Sequence, residues 1–380
     1  MKDWGVNVAE GSKTTGGALR LCEAIRIVPR AADGEAAAAL LSDLAPALDT
    51  LSGDVETRER ASVFLAGALT NAPFLRDLAC ADPERLAGIL TSAPQERVDR
   101  LVAEAREVAG DDETSVMASL RRLKKDLALT LALADIAGAL DLDAVTGSLS
   151  RFADATLTAA IRFCLRDLAR RGKFAILDEA APERDCGFVI LAMGKYGAFE
   201  LNYSSDIDLI VLYDPEHAPV TGGAEAPVEF VRLTKRLVKI MGDRTADGYV
   251  FRTDLRLRPD PGATPLAMSI PAALVYYESL GQNWERAALI KARACAGDIP
   301  CGERFLKEIV PFIWRKYLDY ASIADVHSIK RQIHVHKGHG EIAVAGHNVK
   351  LGRGGIRAVE FFAQTQQLIA GGRITELRGR

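Results

Sequence analysis

The chain has 380 residues, 48% of them apolar, and a formal net charge of −3. That length exceeds a usual single core, and the composition is rich enough to fill two or three. The balanced charge gives no overall basic field to draw the chain to nucleic acid or to an anionic membrane, so any anion site has to be local. Six scattered cysteines without a CxxC pair read as reduced thiols of a cytoplasmic protein rather than a disulfide framework.

Residues 1–18 are polar and glycine-rich, with no apolar run of the kind a signal peptide needs, and are expected to be flexible. From 19 onward Ala and Leu recur at helical spacing, punctuated near Asp33-Gly34, Ser52-Gly53, Pro73, Pro94 and Gly110-Asp111. This predicts a helical N-terminal region over 19–150, the helical pattern itself running on to 172. The most apolar stretch, 127–140, is too short to cross a bilayer and contains Asp135, so it reads as a core helix.

Past 184–187 the pattern changes. Phe188-Val189-Ile190-Leu191 is short and apolar enough for a buried strand, and 207–213 reads as a second one. A Pro/Gly-rich loop over 215–227 and a helix over 228–242 follow. Strict alternation over 249–258 predicts a third strand, with Phe251, Thr253, Leu255 and Leu257 on a core face and Arg252, Asp254, Arg256 and Arg258 on an ionic one. These elements make a small mixed domain over 151–268. From 269 to 380 the pattern is helical again, with helices expected over 271–281, 283–296, 302–320, 323–337 and 355–371. The fold class is therefore α+β, with helical regions on both sides of a small mixed sheet.

The chemistry concentrates between Gly194 and Asp208. In a strand, residues i and i+2 point to one face, so Asp206 and Asp208 project together, about 6 to 7 Å apart along the backbone. With Asp254 they make three acids on two predicted strands, the hard oxygen donors that Mg²⁺ takes while keeping positions open for phosphate. Two such ions can stabilise both the attacking and the leaving oxygen of a displacement at phosphorus. Gly194 and Gly197 allow close backbone approach, Ser204 and Ser205 can donate to a phosphate, and Lys195 is a further phosphate candidate. Arg252, Arg256 and Arg258 offer guanidinium forks. Singly, each feature also fits a capped loop or a surface ion pair; together they favour a phosphorus-transfer site. The histidines His327, His334, His336, His339 and His347 lack the cysteine or carboxylate partners of a zinc site and read as a solvated helix face. After them, Gly352, Gly354 and Gly355 precede a helix start, where a loop could close over phosphates.

Gly194-Lys195, Ser204-Ser205-Asp206-Ile207-Asp208 and the later Asp254 resemble the signature of the polymerase-β-type nucleotidyltransferase superfamily. The fuller text is Leu191-Ala-Met-Gly-Lys-Tyr-Gly, Glu200-Leu-Asn-Tyr-Ser-Ser-Asp-Ile-Asp-Leu, Phe251-Arg-Thr-Asp-Leu-Arg-Leu-Arg-Pro, Asn283-Trp-Glu-Arg, Lys291-Ala-Arg and Gly354-Gly-Ile-Arg with Glu360-Phe. It resembles the bifunctional glutamine synthetase adenylyltransferase/adenylyl-removing family. That family carries two nucleotidyltransferase domains and this chain shows one such motif. Its Asn202-Tyr203-Ser204-Ser205 lead-in resembles the N-terminal, adenylyl-removing half, so the chain reads as an N-terminal portion.

The resemblance implies that inorganic phosphate attacks a tyrosyl-bound AMP on adenylylated glutamine synthetase and releases ADP, with the PII signal protein as a further partner. It assigns Asp206, Asp208 and Asp254 to Mg²⁺ and catalysis. To phosphate and nucleotide it assigns Gly194, Lys195, Ser204, Ser205, Arg256 and Arg258. Adenylyl transfer from ATP by the same site, and a weakly catalytic module that only binds glutamine synthetase or PII, are the alternatives. The chain departs from the family at Ala358, where the pattern has a glutamate.

Overall fold

The computed structural model describes residues 18–51, 55–315, 345–350, 352 and 354–379. The expected helix over 323–337 and the histidines at 327, 334, 336 and 339 lie outside them. The fold is α+β, in two compact units: Met1–Ala159 with Asp243–Val250, and Ala160–Gly242 with Phe251–Arg380.

The first unit is helical because its turns are written into the sequence. Asp33, Asp82 and Asp112 each accept a backbone N–H at the start of a helix, opening Gly34–Asp43, Pro83–Leu90 and Glu113–Ile136. Prolines sit in the first turn of Pro73–Ala81, Pro83–Leu90 and Pro94–Arg106, where a missing N–H costs nothing. Their apolar faces meet around Phe64, Leu65, Leu69, Leu86, Leu129 and Leu133, all fully buried. The stretch expected as a core helix lies mainly in Glu113–Ile136. Arg121, also fully buried, donates to the carbonyls of Met117, Asp243 and Gly248, which ties residues 243–250 into this unit.

The second unit is built on a sheet that has five strands among the described residues: β1 (Phe188–Ala192), β2 (Ile207–Tyr213), β3 (Thr253–Asp254), β4 (Ala267–Ser269) and β5 (Arg293–Gly297). The first two fall where the apolar runs predict them. Strand β1 lies antiparallel between β2 and β5, and the other edge of β2 pairs in parallel with β3 and then β4. One face packs Val189, Leu191, Ile210 and Leu212 on Ala273, Tyr277 and Phe305. On the other, Phe188 and Tyr213 face each other across the ladder and both rest on Phe230 at 5.3 Å, a contact supplied by the helix Ala226–Gly242.

Three expectations need correction. The strand expected over 249–258 is regular only at Thr253–Asp254, because Asp254 accepts the backbone N–H of Arg256 and the chain turns there. Leu255 and Leu257 are consequently only half-buried. The helix expected over 283–296 stops at Leu289, and the chain continues as β5, which fills the free edge of β1. The expected helix over 302–320 begins earlier and is broken, as Ile299–Glu308 and Val310–Ile313 with Pro311 in the second helix's first turn; residues 316–320 lie outside the described set.

Candidate active site

The site lies at the start of β2 in the second unit. Parallel pairing sets Asp208 of β2 opposite Asp254 of β3, so the register itself brings two of the three acids together. Asp206 precedes β2 by one residue. Asp208 is half-buried, and its carboxyl is pushed up to about 6, first by burial and then by the negative charges of Asp254 and Asp206. Asp254 is held below the usual carboxylate range, chiefly because Arg256 hydrogen-bonds it.

Two arginines occupy the outer acids. Arg252 donates from Nε to Asp206 at 2.5 Å and from Nη2 to the Ser204 carbonyl at 2.5 Å. Arg256 forks onto Asp254 at 2.5 to 3.0 Å. As these side chains stand, no group of three histidine, cysteine or carboxylate residues converges on a metal position among the described residues. The donor chemistry nevertheless fits Mg²⁺: three carboxylates are hard oxygen donors, and the negative charge that, after burial, raises Asp208 is what a divalent cation would neutralise. The arginine pairs are a weak obstacle. Arg252 and Asp206 are each about half exposed, so solvent screens their pair, which contributes at most about 1 kcal/mol; Arg256 is 83% exposed and free to swing out, although its partner Asp254 is only 14% exposed.

The motif loop reaches the acids through glycine. Gly194 has φ +55°, and a Cβ there would lie 3.1 Å from Asp208 Oδ2. Gly197 lets the loop settle on the chain entering β5, since a Cβ there would meet the Lys291 carbonyl at 1.9 Å. Between them stands exposed Lys195, in the one-turn helix Gly194–Gly197. Ser204 lies in the left-handed region at φ +53°, in a turn where Asn202 accepts the Tyr203 N–H on its side chain and the Ser205 N–H on its carbonyl. Gly194 thus lies against Asp208, and Ser204 shares Arg252 with Asp206, while Lys195 and Ser205 adjoin them in the chain. Arg258 is engaged differently: it donates to the carbonyls of Leu255 and Pro261 at 2.9 and 2.7 Å and shapes the turn after Asp254.

The sequence reading gave no role to Lys291 or Arg293. Lys291 bridges Glu200 of the loop at 2.8 Å and Glu360 of the helix Ile356–Gly371 at 3.0 Å. Arg293 stacks on Phe199 at 4.0 Å and on Tyr196 at 5.4 Å. The signal was Lys-x-Arg, two cations that share a face only in a strand. The Asn283-Trp-Glu-Arg motif is structural, Glu285 closing a capping box with Gln282 and Arg286 stacking on Phe312 at 4.1 Å. Ala358 occupies the third position of the late helix, whose first turn carries no acid.

A family model described as glutamate-ammonia ligase adenylyltransferase matches residues 62–308, and one described as GlnD PII-uridylyltransferase matches 327–378. The chain is 53% identical over 356 residues to the bifunctional glutamine synthetase adenylyltransferase/adenylyl-removing enzyme of Rhizobium meliloti (strain 1021), an alignment covering 92% of this chain and 36% of that protein. It is 56% identical over 323 residues to the protein of the same name from Agrobacterium fabrum (strain C58 / ATCC 33970), covering 83% of this chain and 33% of that one. The chain spans about a third of the length of these relatives.

Proposed function

The chain belongs to the glutamate-ammonia ligase adenylyltransferase family, and from that premise we propose that it is a nucleotidyltransferase that removes AMP from adenylylated glutamine synthetase by phosphorolysis. The carrying observation is the Asp208–Asp254 register beside Asp206 and Gly194, which supports the site that the resemblance to polymerase-β-type nucleotidyltransferases implies. The adenylyl-removing half, rather than the adenylylating one, is favoured by the Asn202 to Ser205 lead-in. The family name and the relatives' names keep transfer from ATP as the second reading.

In this reading an oxygen of inorganic phosphate forms a bond to the adenylyl phosphorus and the bond from phosphorus to the tyrosyl oxygen breaks. ADP leaves, and the tyrosyl oxygen keeps the electron pair and takes a proton. Asp206, Asp208 and Asp254 would hold Mg²⁺, in one or two ions, which would neutralise the charge that builds on the phosphorus oxygens. Arg256, exposed and hinged on Asp254, is placed to follow a phosphate oxygen; Lys195 and Ser205 meet the remaining phosphate charge from the loop. Arg258 contributes by fixing the turn that carries Arg256.

Glutamine synthetase as partner and a cytoplasmic setting follow from the reaction, and the PII signal protein stands as a proposed effector. No described helix is long and apolar enough to cross a membrane. The test is incubation with adenylylated glutamine synthetase, Mg²⁺ and phosphate. Phosphate-dependent release of ADP is expected; AMP incorporation driven by ATP without it would move the assignment to the transferase reading, and binding without turnover would leave a docking module.

A further inference from the structure

A cleft of about 440 Å³ opens in the second unit between the motif loop and the helix Ile356–Gly371. Lys195, Glu200 and Lys291 line it from the sheet side, and Val359, Ala363 and Gln364 from the helix. Val359 and Ala363 stand four apart on one stripe, with Gln364 beside them. The volume lies in the range of pockets that bury small molecules, and the lining combines aliphatic surface with a few convergent polar groups. Its position relates it to the acids: Lys195 is the residue after Gly194, and Gly194 lies against the Asp208 carboxylate.

We propose that this cleft takes the adenosine part of the nucleotide, adenine lying on Val359 and Ala363 with its edge on the Gln364 amide, and the ribose hydroxyls donating to Glu200. The assignment rests on the reading above that the reacting phosphorus sits at Asp206, Asp208 and Asp254. A side-chain amide presents one donor and one acceptor side by side, the complement of adenine's N7 and N6 and a mismatch to the two acceptors of guanine. The Gln364 amide is available for this, since its contact to Glu360, at 3.5 Å, is at the outer limit of a hydrogen bond. Glu200 keeps about half its side chain exposed while Lys291 holds it in place. Lys291 thereby couples ribose recognition to the seating of the late helix.

The experiment is calorimetric titration of the full chain with Mn²⁺, then with ADP, GDP and inorganic pyrophosphate, on wild type, Ala363→Trp and Gln364→Leu. Ala363 is exposed on its helix, so tryptophan can be accommodated without repacking a core; melting curves check this. Ala363→Trp should weaken ADP at least tenfold with Mn²⁺ and pyrophosphate binding unchanged, and Gln364→Leu should cut the preference for ADP over GDP by roughly tenfold. Photocrosslinking with 8-azido-ADP should label residues 356–367. If both variants bind ADP like wild type, or the label falls elsewhere, while Mn²⁺-dependent ADP binding persists, the cleft assignment is overturned and the acid site stands. A chain that binds neither Mn²⁺ nor ADP overturns both.

Discussion

Asp208 carries the largest electrostatic load of the site, and its titration has a definite sign. A carboxyl ordinarily near 3.9 but pushed up to about 6 in the folded protein binds its proton more tightly when folded. Without metal its contribution to stability is therefore intact below about pH 4 and is lost as pH rises towards 6. Asp208→Asn should accordingly be more stable than wild type in EDTA at pH 8, by about 2 to 3 kcal/mol. In urea titrations the difference should vanish near pH 4. The same substitution should abolish ADP release, and a variant that kept turnover would remove Asp208 from the reaction. Gly194→Ala adds a Cβ at positive φ against that carboxylate and should cost about 1 to 2 kcal/mol while disabling the site. At this scale the sequence was informative, because β2 begins at residue 207 as its apolar run predicts, and strand periodicity then placed Asp208. That arginines would sit beside the acids was legible, but not which arginine pairs with which acid, nor that Arg258 binds its own turn. Alternation assigns a face to a side chain and says nothing of a turn closed by Asp254.

Strand β5 organises the elements around the site. Over 283–296 ten of the fourteen residues are Ala, Leu, Glu, Lys or Arg, so local propensity argued for one continuous helix; pairing with the free edge of β1 overrode it. That misreading hid a function. In a helix Lys291 and Arg293 diverge, whereas in the chain entering β5 they reach the same loop, one through Glu200 and one through Phe199 and Tyr196. Phe199 sits at φ +60°, a conformation unfavourable for a bulky residue that the Arg293 stack helps to hold. Arg293→Leu should lower kcat about tenfold with a smaller change in KM, since it disturbs the loop and not the acids; Arg293→Lys, a cation without the planar stack, should recover only part of it. Lys291→Met leaves Glu200 and Glu360 without their shared cation. Both are partly exposed, so the cost should be modest, about 1 kcal/mol, and confined to the helix Ile356–Gly371, read as faster amide hydrogen exchange there.

At the scale of the whole molecule, helical patterning located the N-terminal helices, and the change of composition after residue 184 located the sheet. The membership of residues 243–250 in the helical unit could not be read, because it depends on long-range interactions: Arg121 reaching carbonyls more than a hundred residues away and Lys125 pairing with Asp247 at 2.7 Å. Arg121→Met should strand those carbonyls and cost about 2 to 4 kcal/mol, seen as a lower melting temperature of the full chain. The same insertion fixes a timetable on the ribosome. Nascent domains commonly fold N-terminal first, as contiguous pieces. Here the helical unit stays unfinished until residue 250 has been made, after β1, β2 and the helix Ala226–Gly242 have already emerged. The helical unit therefore cannot finish before β1 and β2 of the sheet have been made, and a fragment ending anywhere between 160 and 242 would leave the Arg121 guanidinium without two of its carbonyl acceptors.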